Sequence, residues 1–333
     1  MELETVVTEK SEKLLMKACL FGASDIHLLP TKERYTILFR KFGKLIQVGS
    51  LTDDLGMRII TYFKFLSALD ISEKRKPQSG SFAKSLQNLP YSFRVSTLPS
   101  VFQKESLVIR ILRQNFTLPL HQLSYDATQA DELCQLVHQR QGLLLLTGAT
   151  GSGKTTTLYS LVHYCRTALA RHVISLEDPV EIGQEDLLQI QVNERAGITY
   201  ASGLKAILRH SPDVIMIGEI RDRETAKIAV EAALTGHLIL SSIHAKDTVN
   251  CIYRLMDLSI SIDEIRQSLI GIVAQTLVPI RETDDRKAIY EILKDLQLFE
   301  AIAATLRGEI YTIPENERLS YLVQQVQEAA YVE

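Results

Sequence analysis

Apolar positions along the chain fall into two successive patterns. In residues 9–21, Leu14, Leu15, Ala18 and Phe21 recur at helical spacing and predict an amphipathic helix. Short β-rich runs follow at 25–29, 35–40 and 45–48, and Lys41-Phe42-Gly43-Lys44 predicts a hairpin turn between the last two. Residues 55–69 read as a helix behind the acidic cap pair Asp53-Asp54. Three more strands are predicted at 79–85, 91–97 and 106–112. These elements predict a small α+β domain with one mixed or antiparallel sheet.

The pattern breaks in a Leu-rich connector that contains Pro119. The expected organisation is an N-terminal domain over 1–115, a linker over 116–126 and a second domain over 127–333. A helix predicted at 127–139 leads into the apolar run Leu143-Leu144-Leu145-Leu146. Beyond it, short apolar runs at 173–176, 214–217 and 237–241 alternate with helical patterns at 200–209, 224–234 and 248–258. Short buried strands alternating with helices predict an α/β sheet covered on both faces. The tail from Ile262 reads as mostly helical, with one further strand at 288–293. Charged stretches at 73–76 and 281–287 read as solvated loops, the basic first one alternatively as a partner contact.

Composition narrows the function classes. A chain of 333 residues suits two domains or one large one, and 46% hydrophobic content is enough for real cores. The net charge of −3 exerts no global pull toward nucleic acid or anionic lipid, so no direct nucleic-acid partner is expected. The four cysteines, at 19, 134, 165 and 251, form no C-x-x-C pair, which argues against a zinc site or a disulfide framework. No apolar run approaches the roughly 18–20 residues of a membrane span. The acidic start Met-Glu-Leu-Glu-Thr lacks a signal-peptide pattern, and a cytoplasmic location is expected.

The strongest chemical signal is the run Gly148, Ala149, Thr150, Gly151, Ser152, Gly153, Lys154, Thr155, Thr156. It matches G-x-x-x-x-G-K-[ST] and sits between an apolar strand and a helical pattern, which is the context phosphate binding requires. The glycines let backbone N–H groups turn inward around a polyphosphate. The helix N-terminus adds its positive dipole end. Lys154 supplies a mobile cation for the terminal phosphates, and the Thr155 hydroxyl can ligate Mg²⁺. ATP and Mg²⁺ are the expected ligands.

Such an enzyme needs an acid to orient or deprotonate the attacking water. The apolar run at 214–217 ends in Gly218-Glu219, and a strand of this type delivers its end to the phosphates, so Glu219 is the first choice. Gly218 stands where many P-loop proteins carry a Mg²⁺-binding Asp. The expected substitute is Glu177-Asp178-Pro179-Val180-Glu181, with Asp178 and Glu181 holding Mg²⁺ partly through water and Glu177 serving catalysis. Without a ligand, the same run reads as an acidic surface turn. His237 and His244 flank the strand between them, either as structural residues or as sensors of the γ-phosphate or of a neighbouring subunit.

Together these segments resemble the type II secretion and type IV pilus ATPase family. The four motif blocks occur in order: Walker A at Gly148 to Thr155, the aspartate box at Glu177 to Glu181, Walker B at 211–222, and the histidine box from Thr235 to His244. In the first half, Ala23-Ser24-Asp25-Ile26-His27, Phe93-Arg94-Val95-Ser96-Thr97 and Ile109-Arg110-Ile111-Leu112 also match. The resemblance implies an α/β protein with a PAS-like α+β N-terminal domain and a RecA-like P-loop C-terminal domain. It implies an ATP-hydrolysing homohexamer with the nucleotide between the two domains, and it gives Arg94 and Arg110 a role at the phosphates. An Arg brought in by closure would couple hydrolysis to rigid-body motion; without that role the two are strand arginines in surface ion pairs.

The match begins near residue 9, so the docking extension of many secretion ATPases is expected to be missing, as is the family's four-cysteine zinc module. Thr276 stands where the family usually has Arg. This combination looks most like the assembly ATPase of Gram-positive competence pseudopili, which take up DNA. The expected partners are a polytopic inner-membrane platform protein, with the enzyme peripheral to the inner face of the membrane, and indirectly pilin-like filament subunits. Filament retraction, a RecA-like nucleic-acid motor and a scaffold that binds ATP without turnover are the competing readings.

Overall fold

Period-two alternation builds the first of two units, Met1–Phe116 and Thr117–Glu333. The computed structural model describes residues 2–114, 117–280 and 286–332. In the first unit the order is α1 (Glu2–Phe21), β1 (Asp25–Pro30), β2 (Arg34–Lys41), β3 (Lys44–Thr52), α2 (Asp53–Leu66), β4 (Gln78–Leu86), β5 (Leu89–Pro99) and β6 (Glu105–Arg113). The strands form one sheet in the order β3-β2-β1-β6-β5-β4, and every pairing is antiparallel. Ile26, Leu28, Phe93, Val95, Leu107 and Ile109 share one face and bury against Leu14, Leu15 and Ala18 of α1 and Ile59, Ile60 and Phe63 of α2. The opposite face carries a row in register across four strands: Arg40, Asp25, Arg110 and Arg94. Inside the unit, Lys64 and Glu105 form a buried ion pair at 2.8 Å, and Lys64 Nζ also donates to the Glu73 carbonyl.

In the second unit the order is α3 (Leu120–Leu123), α4 (Ala127–Leu136), β7 (Gly142–Thr147), α5 (Lys154–Thr167), β8 (Val173–Glu177), β9 (Leu188–Gln191), α6 (Tyr200–Ile207) and β10 (Val214–Ile217). Then follow α7 (Arg223–Leu234), β11 (Leu238–Ser242), α8 (Thr248–Asp257), α9 (Ile262–Ser268), β12 (Leu269–Pro279), β13 (Arg286–Lys294), α10 (Asp295–Leu306) and α11 (Leu319–Val332). The sheet order is β13-β12-β7-β11-β10-β8-β9; all pairs are parallel except β12 with β13. Both faces are covered. Leu143, Leu145, Ile215, Ile217 and Ile239 enter one core with α6 to α10, while Leu144, Leu146, Met216 and Leu240 enter another with α4 and α5. Uniformly apolar strands are what a sheet buried on both sides requires.

Three expectations are corrected here. The tail beyond Ile262 is not mostly helical, because Leu269–Pro279 is an eleven-residue strand beside β7. Its first six residues, Leu269 to Ala274, carry no polar position to set a period that separates a buried strand from a buried helix. Residues 117–126 are not free linker: Leu120 is buried, and Ser124 bridges to Ala288 of β13. A short strand, β9, extends the sheet beside β8 where none was expected. Phe116, the first linker residue, and 281–285 of the charged stretch lie outside the described residues. Among the described residues, no helix is long and apolar enough to cross a membrane.

Candidate nucleotide-binding site

Parallel strands put their C-terminal ends on one edge of the sheet, and four of them converge there. β7 leads into the glycine-rich loop, β8 ends at Glu177, β10 is followed by Gly218-Glu219, and β11 by Ile243-His244. The Ile243 N–H donates to the Leu146 carbonyl at 2.9 Å, and Thr147 Oγ1 donates to the Ala245 carbonyl at 2.8 Å, so the His244 segment is stitched to the root of the loop.

The loop conformation depends on missing side chains. Gly148 has φ +142°, and a β-carbon there would lie 2.4 Å from the Gln275 carbonyl oxygen. Gly153 has φ +87° and begins α5, with Lys154 as the first helical residue. Gln275, buried in β12, donates from Nε2 to the Ser152 carbonyl at 2.6 Å. The Ser152 hydroxyl is buried with no hydrogen-bond partner, so the loop keeps an unused polar group inside its curve. Lys154 Nζ donates to the Gly148 carbonyl at 2.8 Å and the Ala149 carbonyl at 3.0 Å. Burial pulls the Lys154 pKa below its ordinary value, and the carboxylates of Glu219 and Glu181 pull it back up. The same edge therefore gathers Lys154, Glu219 and Glu181. Thr155 and Thr156 are half-buried on the first turn of α5.

Glu219 is mostly shielded, with a side chain 15% exposed, and both oxygens are engaged. Its Oε1 lies 3.0 Å from His244 Nε2, and its Oε2 accepts from Arg221 Nε at 2.8 Å. Glu177 is buried and differently placed. It accepts from Ser175 Oγ at 2.6 Å, Tyr159 OH at 2.5 Å and Gln189 Nε2 at 3.1 Å. These donors hold the Glu177 carboxylate at the end of β8, buried where Glu219 is partly exposed. Asp178 is exposed and Glu181 half-buried beside it. Among the described residues, no three His, Cys, Asp or Glu side chains gather into a metal cage.

The structure separates two residues that the sequence treats as a pair. His244 follows the C-terminal end of β11, at the loop. His237 precedes its N-terminal end; its carbonyl accepts from the N–H of Gly142, the first residue of β7, at 3.1 Å. Five strand residues span about 16 Å, so His237 is not at the loop edge of its own sheet. Arg94 and Arg110 are directly opposed on β5 and β6 of the first unit, and Arg110 Nε donates to Asp25 Oδ1 at 3.0 Å.

Three residues at the edge went unrecognised as site residues in the sequence: Gln275, Arg221 and Tyr200. Gln275 lies on a strand that reads as helix. Arg221 carries a signal, its spacing of two from Glu219. Tyr200 opens α6, and its phenol pKa is pushed up to about 12 by burial first and then by Asp178.

The family model described as type II/IV secretion system protein matches residues 2–308. The chain is 48% identical over 272 residues to the competence protein ComGA of Bacillus subtilis (strain 168), a match covering 82% of this chain and 76% of that one. It is 42% identical over 266 residues to the type II secretion system ATPase E of Vibrio cholerae serotype O1, covering 80% of this chain and 52% of the relative. Among solved structures, the pilus retraction motor PilT with bound ADP is similar at a TM-score of 0.69 and 26% identity, covering 94% of this chain and 93% of that one.

Proposed function

This chain belongs to the type II/IV secretion system protein family, and from that premise we propose that it is a cytoplasmic, hexameric ATPase motor that powers assembly of a competence pilus-like filament. The observation that carries the reading is the 48% identity to a competence protein across 82% of the chain. On this reading the first unit is PAS-like and the second RecA-like. The motor works at the inner face of the membrane against a polytopic platform protein, which adds pilin-like subunits to a filament for DNA uptake.

The residues present fit a nucleotide with Mg²⁺. The loop's glycine backbone, the unpartnered Ser152 hydroxyl and the partly desolvated Lys154 form a cradle for a polyphosphate. Residues 148–156 bind the phosphates. Thr155, Asp178 and Glu181 would hold Mg²⁺, and the ion would supply positive charge to offset the phosphates. Lys154 exchanges its loop carbonyls for phosphate oxygens. Glu219 orients the attacking water and takes its proton, while His244 and Arg221 fix the carboxylate. Glu177 holds the β8 end in place. Arg94 and Arg110 meet the phosphates during turnover; for Arg110 this requires release from Asp25. His237 serves a neighbouring subunit.

The likeness to a pilus retraction motor supports a second reading, filament retraction by the same chemistry. Deleting the gene and scoring surface filaments and DNA uptake tests both. Loss of filaments and uptake supports assembly, excess filaments support retraction, and wild-type values for both remove the motor reading.

A further inference from the structure

Tyr200 lies outside the residues that carry the nucleotide reading, yet its hydroxyl stands among the acids. It is the first residue of α6, which the Thr199–Ser202 capping box fixes in place. α6 comes close to β8 because Gly203 has no side chain; a β-carbon there would lie 2.9 Å from Leu176 Cδ1. The phenol thereby reaches over the ends of β8 and β10. A β-carbon built on Gly218 would sit 3.2 Å from the Tyr200 hydroxyl oxygen and 3.5 Å from Glu177 Cα. Asp178, Glu219 and Glu177 are the carboxylates that act on the hydroxyl, and Arg221 is the cation.

Gly218 is the position at which many P-loop strands present a metal-binding carboxylate. We propose that the Tyr200 hydroxyl takes over part of that position, as a positioning group that holds a water between the Asp178 side of the site and Glu219. The inference rests on the nucleotide reading above. A neutral phenol donates one hydrogen bond to a carboxylate and accepts from a water at the same time. A carboxylate at 218 would add another negative charge beside Glu177, Asp178 and Glu219; a phenol adds hydrogen-bonding capacity without charge. The hydroxyl orders water for Glu219, and the phosphates are bound elsewhere, by the loop.

The test uses the full chain and a fluorescent ATP analogue, titrated with Mg²⁺. Tyr200→Phe keeps the ring and removes only the hydroxyl. Turnover should fall about 10-fold or more with the KM for ATP within about three-fold. The free Mg²⁺ giving half-maximal analogue binding should rise at least about three-fold. Gly218→Ala keeps the tyrosine and places a methyl group 3.2 Å from its hydroxyl. It should reproduce part of the defect alone and add little in the Tyr200→Phe background. Wild-type turnover and Mg²⁺ dependence in Tyr200→Phe overturn the inference, as do additive effects in the cycle. If Tyr200→Phe does not fold, Gly218→Ala decides: a wild-type Mg²⁺ dependence there overturns the inference. If the wild-type chain itself fails to bind the analogue, the nucleotide reading falls with it; if only the variants are indistinguishable from wild type, the tyrosine's role alone falls.

Discussion

His244 closes on Glu219, with Nε2 standing 3.0 Å from one carboxylate oxygen. Arg221 holds the other oxygen, so the candidate base is fixed in direction from both sides. On the proposed function, a carboxylate aimed in this way would accept the proton of the attacking water without first searching rotamers. Removing the imidazole should leave nucleotide binding intact and slow turnover. His244→Ala is expected to lower kcat about 10–100-fold with the nucleotide Kd within about three-fold, and His244→Gln, which keeps an N–H donor, should recover part of the loss. His237→Ala should leave both constants near wild type in the isolated chain. Steady-state hydrolysis and equilibrium binding on the three proteins check this.

Glu177 should behave unlike Glu219. Three donors point at its buried carboxylate, from Ser175, Tyr159 and Gln189. Glu177→Gln turns an acceptor into a donor facing donors and leaves buried groups unmatched. The expected cost is about 1–3 kcal/mol of stability. It should appear in thermal unfolding as a lowered midpoint, with a smaller effect on kcat than Glu219→Gln.

Much of this arrangement was legible in the sequence, for identifiable reasons. The strand Val214–Ile217 and the loop after β7 stand out because an uninterrupted apolar run followed by glycine and charge admits few other readings. Leu269–Pro279 reads as helix because its apolar run carries no alternation, and with that strand went the approach of Gln275 to the loop. His237 and His244 look equivalent in sequence, being at the two ends of one strand; only the parallel pairing decides which of them faces the loop. Glu177 reads as catalytic from its place in an acidic run. Its burial depends on Tyr159 and Gln189, brought to it from α5 and β9, and no spacing rule connects them.

In the first unit, Lys64 and Glu105 are both buried and meet at 2.8 Å. Removing one partner strands the other charge in an apolar core. Lys64→Met should cost about 3–5 kcal/mol, and adding Glu105→Leu should recover most of it. Calorimetric unfolding of the full chain reads the two variants side by side. Equal destabilisation of single and double variants would show that the pair is not the source of the effect.

Acid should weaken the cap of α9. Contact with Lys227 and hydrogen bonds from the Ser261 hydroxyl and backbone hold the Glu264 carboxyl at about 2, against an ordinary 4.5. The folded value lies below the unfolded one. The stabilisation is therefore complete above pH 4.5 and is lost as pH falls toward 2. Glu264→Gln should lower stability at neutral pH by under about 1 kcal/mol, since the pair is solvated, and the difference from wild type should shrink on acidification below 4.5. Denaturant midpoints at several pH values measure it.

The most direct measurement of the central claim is ATP binding and hydrolysis by the purified full chain carrying Glu219→Gln. Glutamine keeps the shape and a hydrogen-bonding oxygen but cannot accept the water's proton. Analogue binding is expected within about three-fold of wild type and turnover reduced about 100-fold or more. Hydrolysis close to the wild-type rate would contradict it, because the carboxylate that His244 and Arg221 hold in place would then have no part in the chemistry.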